Sequence, residues 1–462
     1  MKTSLLLLSA ASSLAFAADP ALTIYNGGYA VVREMFPVEL KAGLTEVAFA
    51  GVTSALEADT VLLRDLAGKA EFRILEQSYR NDPVTQSMLL SMFEGKSLEF
   101  VQREANKPDR NIIGKVVRSG YRRGQHDDQP IIEVDGKLQF SWPGEPRFPS
   151  LGGDTILKPT LSWQLQSATA GKFEAEVAYV SKGFTWEASY NLVAAEKGDT
   201  LDMIGWITME NVSGMGFPGA KIKLMAGDVQ RAPEPAAGGI GGGLGVGRTA
   251  AMAAPVVTEK SFDEFHLYTL ANPVTLRDNE TKQVEFVRAT GVKAERIYVF
   301  EGRNNTRRGA AGKVQVYREF RNTEANRLGL ALPKGKVRFY SQDGDRQLEF
   351  VGENTIDHTP KGELIRVLTG NSFDLVGERR QVNQTEDGAN RVATQTIEVK
   401  LRNRKTEPVV IHVREHATRG GNWTLTSQSQ PHEKKDATTF EFAVSLQPNE
   451  EKVVTYTIRN TW

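Results

Sequence analysis

The sequence predicts a mainly β protein: several β-sandwich and barrel domains, one short helix, an inserted small barrel and an immunoglobulin-like C-terminal sandwich. Three observations predict it. Apolar and polar residues alternate in short runs, the period of half-buried strands. Gly, Asn, Asp or Pro bounds most of these runs, as turns require. Helical periodicity is confined to one stretch, and the 462 residues include no cysteine, so each core must hold without disulfides or thiolate-bound metal. A chain of this length is large enough for two to four such cores.

Residues 1–17 read as a cleavable export signal. Lys2 supplies a positive start, Ser4 to Leu14 form an apolar stretch, and Ala15-Phe16-Ala17 offers small residues at cleavage spacing. Asp19-Pro20 ends the run well short of the ~20 apolar residues a spanning helix needs. The expectation is cleavage near Ala17 and delivery to a periplasm or the exterior. No later segment approaches a membrane-spanning run. The chain ends in Trp462, as outer-membrane barrel strands end on an aromatic residue, but Asn460 interrupts that face and charges are scattered through nearly every strand. Lys plus Arg equals Asp plus Glu at 57 each, so no whole-molecule field draws the protein toward nucleic acid or anionic lipid.

Residues 18–80 form an N-terminal β domain, with strands Leu22–Arg33, Thr45–Phe49, Thr60–Leu66 and Ala70–Tyr79 and turns at Asn26-Gly27-Gly28 and Ala42-Gly43. Residues 82–150 read as a helix plus a small SH3-like barrel. Asp82 caps the helix, Pro83 sits in its first turn, and Val84, Met88, Leu89, Met92 and Phe93 share a face before Gly95. Four short strands follow: Ser97–Arg103, Ile112–Ser119, Ile131–Val134 and Lys137–Trp142, the last two around Asp135-Gly136. The basic stretch Arg103 to Arg123 lacks aromatic interleaving beyond Tyr121 and reads as a solvated loop, not an RNA surface.

Residues 155–231 and 258–393 are the two parts of a central β domain, split by a flexible Gly/Ala/Pro-rich loop at 232–257. The glycines of that loop meet neither the G-x-G-x-x-G nor the P-loop spacing. Trp163, Trp186 and Trp206 lie in strands of the first part, where large aromatics fill sandwich cores. Residues 394–462 carry Ile397–Leu401, Val409–Arg414, Trp423–Thr426, Phe440–Val444 and Lys452–Arg459 at the spacing of an immunoglobulin-like sandwich.

The sharpest candidate for chemistry is His412-Val413-Arg414-Glu415-His416, which matches the H-x-x-E-H pattern of a zinc peptidase. That pattern works on a helix, where residues four apart share a face. Here the preceding Pro408-Val409-Val410-Ile411 is β-branched and alternating. In a strand, His412 and His416 lie about 13 Å apart, too far to share one ion. No nucleophile elbow or EF-hand loop is present, and His126, His266, His358 and His432 stand alone in sequence. Asp127-Asp128 and the Asp343/Asp345 pair sit in turns, where acids are common for backbone reasons. No catalytic, cofactor-binding or metal-ligating residue is assigned from sequence.

Several stretches resemble an uncharacterised bacterial family catalogued as a domain of unknown function, family 4139, whose relatives include mucoidy-inhibitor-like proteins. They are Tyr25-Asn26-Gly27-Gly28-Tyr29-Ala30-Val31-Val32-Arg33-Glu34, Val180-Ser181-Lys182-Gly183-Phe184-Thr185-Trp186-Glu187-Ala188-Ser189-Tyr190, and Gly205-Trp206 leading to Leu224-Met225-Ala226-Gly227-Asp228-Val229. The resemblance implies a β-rich exported protein and transfers no catalytic residues. Relatives in the mucoidy-inhibitor branch are expected to carry a coiled coil where this chain has its small barrel. Two functions follow. One is a non-enzymatic envelope or extracellular protein that binds another protein or a surface polymer through strand edges and loops. The other is a hydrolase of peptide or glycan with carboxylates converging in a cleft between domains. Trp186 and Tyr190, on one face beside the most family-like segment, are the candidate binding surface, weighed against a core role.

Overall fold

The structure is a computed structural model that describes residues 18–462 apart from 83, 104–107, 123–125, 150–154, 196–197, 228–256, 263–264, 303–309, 346 and 418–421. The export-signal segment and almost all of the 232–257 loop therefore lie outside the described residues. The chain forms two compact units: Met1–Thr185 with Glu210–Lys223 and Asn272–Glu280, and the remainder.

In the first unit, alternation builds a sheet ordered Phe217–Ala226, Ala18–Tyr25, Tyr29–Leu40, Gly171–Lys182 and Leu62–Asp65. Along Tyr29–Leu40 every second residue turns inward, burying Val32, Glu34, Phe36, Val38 and Leu40. A three-stranded sheet places Thr160–Ser167 between Gly43–Ala50 and Arg73–Arg80. The two sheets share a core, with the Phe36 ring 4.7 Å from Phe49 and 6.1 Å from Trp163. The strands of residues 18–80 thus close their sheets with partners from 160–182.

Thr160 pairs directly with Arg80, so the intervening residues leave and return at one point, as an insertion does. Within it the helix is Gln86–Ser91, with Thr85 as its cap: the Thr85 Oγ1 accepts from the Met88 amide at 3.1 Å. Asp82, the cap expected from sequence, instead accepts a 2.7 Å hydrogen bond from the Tyr121 hydroxyl. Pro83 lies outside the described residues. Gly95 at φ +81° ends the turn in the left-handed region that glycine enters without strain. The following strands form an open five-stranded sheet, ordered Glu145–Arg147, Ser97–Gln102, Arg110–Arg118, Ile131–Val134 and Lys137–Gln139, in place of the closed small barrel. Its core is Leu90, Leu98, Phe100, Val116 and Ile132.

The second unit contains a five-stranded sheet ordered Glu280–Lys293, Thr200–Asn211, Phe184–Ala195, Gly335–Gln342 and Leu348–Ile356. The Phe184–Ala195 and Gly335–Gln342 strands run parallel. A nine-stranded sheet follows the order Asn422–Gln428, Glu451–Thr461, Val392–Asn403, Leu364–Asp387, Ala310–Arg321, Glu295–Glu301, Val409–His416, Thr439–Leu446 and Glu433–Lys434. It curls until its ends face each other across one core, where Tyr456 lies 5.4 Å from Phe440 and 5.5 Å from Phe442. The strands of 394–462 share this one sheet with 295–301, 310–321 and 364–387, which precede residue 392. Strand is the dominant structure throughout, and among the described residues no helix is long and apolar enough to cross a membrane.

Candidate functional site

Trp186 and Tyr190 are both indoors. Trp186 is 5% exposed, its indole N–H donates to the Met225 carbonyl at 3.3 Å, and its ring lies against Tyr268. Tyr190 is fully buried, donates its hydroxyl to the Pro333 carbonyl at 2.6 Å and meets Phe286 edge-on. With both polar handles satisfied by backbone, the pair fills the core of the second unit and offers no outward surface.

The H-x-x-E-H residues sit on the strand Val409–His416 with alternating burial. Glu415 therefore points inward, while His412, Arg414 and His416 share the outer face. Inside, the Glu415 carboxylate accepts from Arg379 Nε at 3.0 and 3.1 Å, and the Arg379 Nη2 donates to the Tyr456 hydroxyl at 3.4 Å. Burial alone would depress Arg379, but the Glu415 carboxylate and the Tyr456 hydroxyl together raise it above its ordinary value. Burial pushes the Glu415 carboxyl up against the pull of Arg379. Gly302 lies over this pair, and a Cβ there would collide with the carboxyl group. Outside, Glu441 accepts from Arg414 Nε at 2.6 Å and faces His412 and Lys435. His412 and Arg414 hold Glu441 down to about 2. His416 Nε2 meets Glu301 at 2.5 Å. The motif is thus a structural ion-pair ladder, and among the described residues no three His, Asp or Glu side chains are grouped to hold a metal.

A lone buried carboxyl stands apart from this ladder. Glu34 is 1% exposed, accepts from the Tyr179 hydroxyl at 3.3 Å, and is pushed up to about 7 by burial. Its burial keeps it from any solute, so it is a core group.

A cavity of about 270 Å³ lies in the second unit. Backbone irregularity builds it. Opposite Val314 and Lys313 the ladder jumps from Ser372 to Val376, leaving Phe373, Asp374 and Leu375 as extra residues. Thr369 is skipped between Val316 and Tyr317, and Val351 is skipped between Phe339 and Tyr340. Val351, Thr369, Phe373 and Asp374 all line the cavity. Bulges re-aim side chains in this way and are common beside binding sites. Phe373 emerges 97% exposed.

The other wall is cationic. Arg296 and Arg318 face each other directly across antiparallel strands, a like-charge pairing that costs stability. Arg318 is 3% exposed, and its Nη1 donates to the Gly198 and Ala294 carbonyls at 3.0 Å each. Burial and then the neighbouring Arg296 charge lower Arg318 from its ordinary value. Lys405 Nζ sits 5.2 Å over the Tyr298 ring and 3.6 Å from Glu407. Its loop is tied down by Asn403, which is fully buried: Oδ1 accepts from the Lys405 amide at 2.9 Å, and Nδ2 donates to Glu407 and Gln447 carbonyls. The cations were visible in the sequence, but not their convergence. The register that sets Arg296 against Arg318 is a tertiary fact.

A domain of unknown function (DUF4139) matches residues 175–462, more than half of the chain. The chain belongs to the DUF4139 family. The DUF4139 match takes in both the ion-pair ladder and the cation-walled cavity. No curated protein matches the chain.

Proposed function

We propose that this DUF4139 protein is exported through its N-terminal signal and acts in the periplasm or outside the cell as a non-enzymatic binding protein. Its partner is an envelope protein or a surface polymer, and the contact lies at the bulged rim of the second unit. The observation that supports this most is the apolar rim itself. Phe373 is 97% exposed, and Leu348, Phe350 and Val351 follow one another along the edge strand Leu348–Ile356 at 52, 58 and 46% exposure. Scattered exposed apolar residues need no explanation, but Val351 and Phe373 line one polar cavity together, and exposed apolar groups rimmed by polar ones suit an interaction surface. The guanidinium and ammonium groups at the cavity suit recognition of an anion.

The test is affinity capture of the tagged, exported chain from its own cells after in situ cross-linking, for wild type and for Phe373→Ser. The reading expects a reproducible envelope partner that Phe373→Ser loses. Equal recovery with both chains would sink it.

A further inference from the structure

Three cationic side chains, Arg296, Arg318 and Lys405, line the 270 Å³ cavity, against one carboxylate, Asp374. Two of the cations are cross-strand neighbours, and one of those is 3% exposed. Placing like charges opposite each other is destabilising on an open sheet, and more so where water is excluded. Arg318 is held by two backbone carbonyls that do not neutralise its charge, and the nearest carboxylate, Asp199, is 3.7 Å away and 72% exposed. Lys405 is held over an aromatic ring by a loop that Asn403 clamps. The remaining polar lining includes Ser341 and Asn371, whose hydroxyl and amide groups can donate to an oxygen, whereas the Thr369 hydroxyl already donates to the Val316 carbonyl at 3.0 Å. At the rim Phe373 presents an uncovered ring.

We propose that this cavity is an oxyanion-binding site, taking a carboxylate or phosphate group carried on an aromatic or other apolar ligand. The anion is held by Arg296 and Lys405, beside the buried charge of Arg318, and the apolar part covers Phe373. This rests on the binding reading above and names the chemistry the partner must present there. The volume suits one such group with a few attached atoms, each water-sized portion taking ~30 Å³. An anion there places negative charge beside the cross-strand arginine pair, which favours its binding.

Isothermal titration calorimetry of the full exported chain tests it with three probes: 3-phenylpropionate, phenyl phosphate and inorganic phosphate. The expected result is saturable one-to-one binding of at least one phenyl-bearing probe, the tighter of the two naming the anion as carboxylate or phosphate. Arg296→Gln and Lys405→Met should each weaken it about tenfold or more, as loss of a charge-assisted hydrogen bond does. Phe373→Ala, at an exposed site where folding is not at stake, should weaken the phenyl-bearing probes and leave any inorganic phosphate binding unchanged. Circular dichroism of each variant confirms that it is folded. Absence of saturable binding with all three probes overturns the proposal, as does binding that Arg296→Gln and Lys405→Met leave intact. The two readings fail separately. Partner capture lost on Phe373→Ser, with no anion bound, removes the oxyanion site and keeps the binding reading. Anion binding that the variants abolish, with partner recovery indifferent to Phe373, does the reverse.

Discussion

Replacing Glu34 by Gln should stabilise the protein in neutral and alkaline solution and remove a slope from its stability profile. Glu34 lies on the core face of Tyr29–Leu40 at 1% exposure, and burial lifts its carboxyl from 4.5 to about 7. Unfolded, the same group releases its proton above about 4.5. Between those values the folded state holds more protons than the unfolded state, so stability is full below about pH 4.5 and is lost as pH rises to about 7. The difference corresponds to about 3 kcal/mol, at ~1.4 kcal/mol for each tenfold change in proton affinity. Glutamine keeps the acceptor for the Tyr179 hydroxyl and carries no charge. Urea unfolding at pH 4.5, 6, 7 and 8, followed by tryptophan fluorescence, compares the two chains and isolates this residue from every other titrating group. The expected outcome is near-equality at pH 4.5 and an advantage of about 3 kcal/mol for Glu34→Gln at pH 8. A variant no more stable than wild type at pH 8 would refute the reasoning, because the buried carboxylate would then cost nothing.

The ion-pair ladder makes three further predictions. Glu415→Gln leaves Arg379 charged and unpaired in the core and should cost about 3–5 kcal/mol, read as a fall in the urea midpoint. The double change Arg379→Met with Glu415→Leu should recover most of that loss. Gly302→Ala drives a methyl group into the Glu415 carboxyl and should cost about 1–3 kcal/mol by overpacking, measured by the same unfolding assay. Glu441, held at about 2 by His412 and Arg414, contributes stability present above about 4.5 and lost as pH falls toward 2. The acid limb of the unfolding profile should flatten in Glu441→Gln. Asn403→Ala removes a buried clamp from the Lys405 loop and should lower the thermal midpoint through loss of about 1–3 kcal/mol, while weakening the binding of any anion in the cavity.

The local features of this fold were legible wherever alternation and turn chemistry decide them. Ile131–Val134 runs between the residues expected, and Asp135-Gly136 turns with positive φ at both positions, as a tight hairpin demands. Val409–Arg414 is legible as strand because Val409, Val410, Ile411 and Val413 are β-branched, and a strand sets His412 and His416 too far apart to share one ion. What strand period cannot carry is which strand pairs with which. Thr160 returning to Arg80, the parallel pairing of Tyr190 with Val337, and the joining of 295–301, 310–321 and 364–387 to the C-terminal strands in one sheet depend on long-range closure. The helix cap moved from Asp82 to Thr85 because two residues in that stretch offer capping oxygens, and only the path of the chain chooses between them. The cavity was illegible for a further reason. Its lining comes from bulges, where extra residues break the alternation that sequence reading relies on, so Phe373 and Thr369 carried no signal. Burial of Trp186 and Tyr190 follows from large aromatics on an inward strand face, the ordinary outcome for such residues.

The central claim, that the bulged rim of the second unit is the binding surface, is tested most directly by site-specific photocross-linking. A benzophenone amino acid is placed at Phe373 in one chain and at Phe140, a 61% exposed residue of the first unit, in another. Both exported chains are irradiated in their own cells. Phe140 lies just past the strand Lys137–Gln139, and the account predicts a discrete adduct from position 373, suppressed when Lys405→Met is added, and none from position 140. Adducts of equal yield from both positions, or from position 140 alone, would contradict it.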